Sequence, residues 1–276
     1  MKHKTGLIGV GKMGEALIQG IQKSPLKKDY ELLGSTASPA SAESVSKKLG
    51  IKCFTDNAEV AGLCKILILC VKPHQAEKVL KEISPELGSD HLLISICASI
   101  TISQLREWSG GKAKIIRAMP NTPALIGQGM TVLSPDLKVS SAHLEIAEQL
   151  FQSVGLTAMV EESLMDGVTG LSGCGPAYIY LIIEALSEAG VKVGLSRKLS
   201  TLLAAQTMKG AAQMVLSRDG EHPAAMKDEV TTPAGCTIDG LMALEEGKLR
   251  VTLIKAVLAA TRRSQKLRSV SGSGLK

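Results

Sequence analysis

The sequence predicts an α/β doubly wound sheet followed by an all-α domain. Three observations carry this. Short apolar runs alternate with helix-patterned segments through the first 160 residues, as chained βαβ units do. A glycine-rich turn follows the first apolar run. Strand patterning then stops, and Ala- and Leu-rich stretches fill the remainder. The expected domains are residues 1–160 and 161–276, meeting near Glu161.

The elements follow in order. Residues 5–10 (TGLIGV) form a short apolar run ending in glycines, a buried strand. Residues 13–23 carry Met13, Leu17, Ile18 and Ile21 at helical spacing. Residues 31–34 read as a second strand, 39–49 as a helix with its apolar face at 42, 45 and 49, and 51–54 as a weak third strand. Residues 65–71 (KILILCV) are continuously apolar, as a strand buried on both faces is. Pro73 suits a first helical position, and that helix runs to about Ile83. Further strands are expected at 91–97, 114–119 and 130–133, and an amphipathic helix at 140–153. Helices are then expected at 167–193, 197–216, 238–246 and 249–267. Little charge falls on residues 171–186 and 199–206, so a second copy is expected to cover these helices.

Composition narrows the function classes. The chain has 276 residues, 45% of them hydrophobic and 21% charged, which excludes a disordered or disulfide-scaffold class. Aromatics make up only 2%, too few for a stacking platform on single-stranded nucleic acid. The net charge of +6 is a C-terminal feature: residues 247–276 hold Lys or Arg at 248, 250, 255, 262, 263, 266, 268 and 276, and no acid. These read as a last helix with cations near its negative end and a solvated tail. The six cysteines form no CxxC pair and sit mostly in apolar runs, which suits a reducing, cytoplasmic compartment. Long uncharged runs are broken by Gly and Pro, so no membrane span is expected.

Six segments carry the chemistry. Gly9-Val10-Gly11-Lys12-Met13-Gly14 follows a strand and opens a helix, the context a dinucleotide fingerprint requires. Gly9 makes the tight turn, Gly11 lets backbone approach a pyrophosphate, and Gly14 packs helix on strand. The second strand ends in Gly34-Ser35-Thr36-Ala37-Ser38, with hydroxyls and no carboxylate to repel a 2′-phosphate, which favours NADP. Lys47 and Lys48 lie further along the next helix. Val71-Lys72-Pro73-His74 ends the strongest strand and places Lys72 over the crevice, with His74 on the helix surface. Met119-Pro120-Asn121-Thr122-Pro123 is a rigid loop at a strand's carboxyl end. Residues 170–178 (GLSGCGPAY) lead into a helix, and Cys174 has no neighbouring histidine base. In residues 230–238 (VTTPAGCTI), Thr237 is expected to cap a helix whose free amides suit a small carboxylate. Neither HExxH nor a P-loop occurs, and redox chemistry carried by nicotinamide asks the protein mainly for placement.

With GVGKMG and VKPH, the segments TGLSGCGPAY and VTTPAGCTIDGL are similar to the pyrroline-5-carboxylate reductase family, in order along essentially the whole chain. The resemblance implies a Rossmann-type doubly wound sheet followed by an all-α dimerisation domain. It implies dimers, often five to a decamer, with no nucleic-acid or membrane partner. It implies hydride transfer from NADPH, with NADH possible, to the C5=N carbon of 1-pyrroline-5-carboxylate, giving L-proline. By matching motifs, Ile8 and Gly9 through Gly14 would hold the pyrophosphate, and Ser35 and Asn57 would contact the adenosine end. Cys70, Val71, Lys72, Pro73, Cys97, Ala98 and Asn121 would line the cofactor groove. Val230, Thr232, Gly235, Cys236 and Thr237 would surround the substrate, with Thr237 the catalytic residue near the imine nitrogen. The chain departs from the family at Ala234, where Gly is common, at Cys174, where Ser is common, and at Cys97-Ala98-Ser99, where Ala-Ala-Gly is frequent. It also lacks an Arg near the 2′-phosphate position. Competing readings are a β-hydroxyacid dehydrogenase using Lys192, Lys209 or Lys227, a cofactor-binding regulator without turnover, and a nucleic-acid binder using residues 262–276.

Overall fold

The computed structural model describes residues 2–270. Six strands and their connecting helices come first: β1 (His3–Ile8), α1 (Lys12–Lys23), β2 (Tyr30–Ser35), α2 (Pro39–Leu49), β3 (Lys52–Phe54), α3 (Asn57–Leu63), β4 (Ile66–Leu69), α4 (Pro73–Ile83), β5 (Leu92–Ser95), α5 (Ile102–Trp108) and β6 (Lys114–Met119). Then follow β7 (Gly129–Pro135), α6 (Ser141–Gln152) and β8 (Gly155–Met159). The sheet order is β3-β2-β1-β4-β5-β6-β7-β8, and β1 to β6 run parallel. The order reverses between β1 and β4, so the crevice beyond their carboxyl ends is where a ligand of such a sheet binds.

Alternation along the central strands builds two apolar layers. Leu7, Ile68, Ile94 and Ile116 face one side with Leu17, Ile18, Ile21 and Phe151. Ile8, Leu67, Leu69, Leu93 and Ile115 face the other with Val60, Leu80 and Leu105. Both layers are closed, which is why residues 65–71 lack polar alternation.

The sequence reading missed or altered several elements. β7 runs antiparallel to β6, because the connection of residues 120–128 is too short for the crossover a parallel pair needs. β8, which then pairs parallel with β7, escapes notice because its residues are mostly half-buried or exposed and show no alternation. α3 and α5 are short, yet their caps are written locally. Asp56 accepts from the N–H groups of Ala58 and Glu59, and Thr101 with Gln104 forms a capping box.

The helical half comprises α7 (Met165–Val168), a single π-helical turn (Thr169–Gly173), α8 (Gly175–Lys192), α9 (Arg197–Ser217), α10 (Pro223–Glu229), α11 (Cys236–Glu246) and α12 (Leu249–Val270). The helix expected over 167–193 is therefore broken at the π turn, and α10 is an addition. The compact units are Met1–Cys174 with Leu258–Lys276, and Gly175–Val257. This division differs from a cut at 160/161 for a physical reason. Glu162 accepts from Arg117 Nη1 at 2.8 Å and from Ile102 N–H at 2.6 Å, which ties the segment after β8 to the sheet. In the far turns of α12, Arg268 pairs with Asp166 at 2.9 Å, so one of the C-terminal cations neutralises a buried carboxylate while its own side chain stays partly exposed. The remaining tail expected after Val270, with Lys276, lies outside the described residues.

Candidate active site

Strand register brings the site together. Ile8 is level with Ser35 on one side and Leu69 on the other, and Leu69 is level with Ser95. The residues that follow these ends, Gly9, Thr36, Cys70 and Ile96, therefore share one edge of the sheet. Two cavities open there. The first, of about 330 Å³, is lined by Gly9, Val10, Gly11, Thr36, Ala37, Ser41, Thr55, Asn57, Cys70, Val71, Lys72, Gln75 and Val79. The second, of about 610 Å³, is lined by Gly11, Lys12, Met13, Cys70, Val71, Lys72, Pro73, Ile96, Cys97, Ala98, Thr122 and Leu125. They share Gly11, Cys70, Val71 and Lys72 and so form one extended groove over the switch point.

The first two glycines are there for different reasons. Gly9 has φ +82°, and a Cβ would meet Val71 Cγ1 at 2.4 Å, so the fold itself demands glycine. Gly11 has extended backbone, and a Cβ there would meet nothing within 4 Å. Its missing side chain leaves room in the groove instead of relieving a clash in the protein. The third glycine is less demanding than its motif role: a Cβ on Gly14 would touch Val10 and Cys70 at ordinary distances of 3.6 and 3.8 Å. Gly11 is also the N-cap of α1 and offers no side-chain cap. The first intrahelical bond is Glu15 N–H to Gly11 C=O at 2.8 Å, so the amides of Lys12, Met13 and Gly14 precede the helical ladder and point toward the groove.

Several residues expected at the cofactor stand behind it. Ser35 is fully buried; its hydroxyl accepts from Gly9 N–H at 3.2 Å and donates to Asn57 Oδ1 at 2.7 Å. Asn57 in turn donates to Glu82 Oε1 at 3.1 Å. This chain of bonds pins the glycine turn, and the hydroxyls that reach the cavity are Thr36, Ser41 and Thr55. Ile8 is core, and its carbonyl accepts from Cys70 N–H. Asn121 accepts from Met130 N–H at 2.9 Å and donates to Ser172 at 3.3 Å, which clamps the β6–β7 loop to the π turn. Neither Ile8, Gly14, Ser35 nor Asn121 lines the groove. Lys47 and Lys48 are engaged elsewhere, by Glu43 at 2.6 Å and Glu15 at 2.5 Å.

The groove thiols are neutral. Burial raises Cys70 well above the ordinary thiol range and pushes Cys97 up to about 11. Cys97 donates to Val71 C=O at 3.3 Å. Nothing there activates a thiolate nucleophile. His74 is exposed, as expected of a helix surface residue.

The second cluster of expected site residues lies in the helical unit. α11 begins at Cys236, and its N-cap is Gly235, not Thr237, with no side-chain cap. The reason is the turn before it. Gly235 N–H donates to Thr232 C=O at 3.0 Å, and a Cβ on Gly235 would meet Thr232 Oγ1 at 2.5 Å. Ala234 is held at φ +56°. Thr237 thus sits inside the first helical turn, half-buried, and its hydroxyl is not needed for capping. Val230, Thr232 and Cys236 are exposed around it.

Sequence reasoning did not single out Thr36, Ser41, Thr55, Gln75, Thr122 and Leu125 as lining residues, although Thr36 belongs to the hydroxyl-bearing segment that favours NADP and Thr122 to the rigid loop after β6. A signal existed for the first and third, since each directly follows a strand at its carboxyl end. Ser41 and Gln75 were legible only as helix-cap neighbours.

Comparison with known proteins fits this layout. Residues 162–267 match the family model described as pyrroline-5-carboxylate reductase dimerisation, and residues 4–99 match one described as NADP oxidoreductase, coenzyme F420-dependent. The chain is 40% identical to the pyrroline-5-carboxylate reductase of Arabidopsis thaliana, covering 96% of this chain and 95% of that one. It is 38% identical to that of Escherichia coli, covering 97% and 99%. The crystal structure of Plasmodium falciparum pyrroline carboxylate reductase with NADP bound superposes with a TM-score of 0.85 at 38% identity, covering 96% and 98%. With identity of this order along nearly the full length of both partners, and a groove built at the same sheet edge that its glycine turn announces, the chain belongs to the pyrroline-5-carboxylate reductase family.

Proposed function

We infer that this protein reduces the C5=N bond of 1-pyrroline-5-carboxylate to give L-proline, the last step of proline biosynthesis. The observation that carries the reading is the groove over the switch point, where Gly11 leaves open space beside the uncapped start of α1. That space and those amides suit a pyrophosphate, so the residues present fit a nicotinamide dinucleotide. Such a cofactor supplies a hydride from C4 of its nicotinamide ring. Thr36 and Ser41 offer hydroxyls, and the end of β2 has no carboxylate, which supports NADPH with NADH accepted. Ser35 and Asn57 act by holding the turn, and Val71, Lys72, Pro73, Cys97 and Ala98 form the walls.

In the helical unit, the free amides at the start of α11 and the Thr237 hydroxyl suit the carboxylate and the ring nitrogen of the substrate. Val230, Thr232, Gly235 and Cys236 frame that position. Hydride addition at C5 breaks the C=N π bond. Its electron pair moves to a nitrogen already carrying its proton, and Thr237 orients that N–H by accepting from it. Thr237→Ala is expected to lower kcat/KM by about 10²-fold. Pyrroline-dependent oxidation of NADPH, followed by absorbance and compared with NADH, tests the whole reading. No turnover in folded protein that binds NADPH would overturn it.

The proposed assembly is at least a homodimer. Support comes from the residues 175–257 region, which leaves Tyr180, Leu181, Leu202, Leu216, Met242 and Ile254 exposed in the single chain. A cytoplasmic setting is supported by six free thiols. No helix among the described residues is long and apolar enough to cross a membrane.

A further inference from the structure

The reaction as outlined leaves one buried polar network unused. It starts in the loop after β5, where Cys97 and Ala98 line the larger cavity and Ser99 follows them. Ser99 has φ 61°, a left-handed conformation that costs a serine about 1 kcal/mol and persists only where neighbouring structure holds it. Its hydroxyl lies 3.2 Å from that of Ser264 on α12. Ser264 Oγ donates to Asp166 Oδ1 at 2.7 Å, and Asp166 Oδ2 pairs with Arg268 at 2.9 Å. Because the Ser264 proton goes to the carboxylate, Ser99 is the donor to Ser264. The three side-chain groups therefore point one way, from groove wall to helix, and end on a charge pair. Ser99, Ser264 and Asp166 are 6%, 4% and 3% exposed, so no solvent competes for these bonds. All belong to the same compact unit, and the Ser99–Ser264 contact joins positions 165 residues apart.

We propose that this network positions the reaction: it latches the 97–99 segment to the final helix and thereby sets the Ala98 wall against the bound cofactor. The cofactor groove is then complete only once the end of the chain has docked. Ser99, Ser264 and Asp166 line neither cavity and act as positioning residues. The inference rests on reading the groove as the nicotinamide dinucleotide site.

The test titrates NADPH into the full-length enzyme by fluorescence and measures kcat/KM and Tm for Ser99→Gly, Ser264→Ala, Ser264→Thr and Asp166→Asn. Ser99→Gly removes the donor while relieving the left-handed strain, so its Tm stays close to wild type even if Asp166→Asn fails to fold. Its Kd for NADPH is expected to rise about tenfold, the worth of one charge-linked hydrogen bond, and kcat/KM to fall by a similar factor. Ser264→Ala should match it, and Ser264→Thr, which keeps a hydroxyl, should recover most of the loss. Wild-type Kd and kcat/KM in both Ser99→Gly and Ser264→Ala, with only Tm lowered in the latter, would overturn the latch. Wild-type enzyme that fails to bind NADPH at all would instead overturn the reading of the groove, and the latch with it.

Discussion

In the sheet-bearing unit, Leu7, Ile68, Ile94 and Ile116 have no exposed surface, and a matching layer closes the opposite face of the sheet. In the helical unit, the buried side chains are Ser187, Ser200, Ala204 and Met226, while Leu181 and Leu202 are 65% and 63% exposed. One unit completes its core within a single chain. The other carries comparable apolar content and leaves it outward, against the tendency of monomers to avoid large apolar patches. The difference teaches that one half of this catalytic chain closes its core by itself and the other does not. The first is folded around its own sheet, and the second leaves the apolar faces that the proposed dimer would cover.

The largest effect expected from breaking this contrast comes from Leu181→Glu with Leu202→Glu. A charge on each helix face opposes burial against a partner, so the proposed dimer is expected to dissociate and turnover to fall with it. Sedimentation and activity assays check this, and wild-type mass with wild-type turnover would contradict it. Next come the two glycines of the groove, which separate folding from binding within the first unit. Gly9→Ala strains a left-handed turn into Val71 and is expected to cost about 3 kcal/mol of stability. Gly11→Ala should leave Tm unchanged and weaken NADPH binding about tenfold or more, since its Cβ enters only the groove.

Thiol titration gives a smaller, pH-dependent contrast. Burial pushes Cys64 up to about 12 and Cys97 up to about 11, from an ordinary 9.0. Their folded values lie above the unfolded ones, so this stability is fully present below pH 9 and is lost as pH rises toward 11. Tm measured against pH should therefore decline above about pH 9. At neutral pH Cys236, exposed in the helical unit, should alkylate before Cys64 or Cys97. The smallest effect is a gain: Ala234→Gly relieves φ +56° in the substrate turn and is expected to stabilise it by about 1 kcal/mol, read as a raised Tm.

Much of the fold was legible because it is local. Residues 65–71 announce a doubly buried strand by being apolar throughout, and β4 occupies Ile66–Leu69. Gly9 and Gly11 announce the turn by position after β1. The direction of β7 was not legible from its own residues, since it depends on the length of the loop before it. The candidate site divides in the same way. Twelve of the residues expected at the cofactor line the groove, from Gly9 to Met13, Asn57, Cys70 to Pro73, and Cys97 with Ala98. Ser35 and Asn121 look like ligand contacts in sequence because they are polar and lie at or just beyond the carboxyl ends of strands. Their partners, Gly9 and Ser172, lie 26 and 51 residues away, and no local pattern encodes them.

The sequence by itself determined the first seven strands and the longer helices in order, the site of the glycine turn, the apolar excess of the second half and the family. Each depends on a residue's chemistry and near neighbours. Tertiary structure alone decided that Ser35 holds the turn, that Asn121 clamps its loop to the π turn, and that Ser99 meets Ser264. Those outcomes turn on which hydrogen-bond partner comes within 3 Å or so. That distance is set by how packed layers bring remote segments together, not by spacing along the chain.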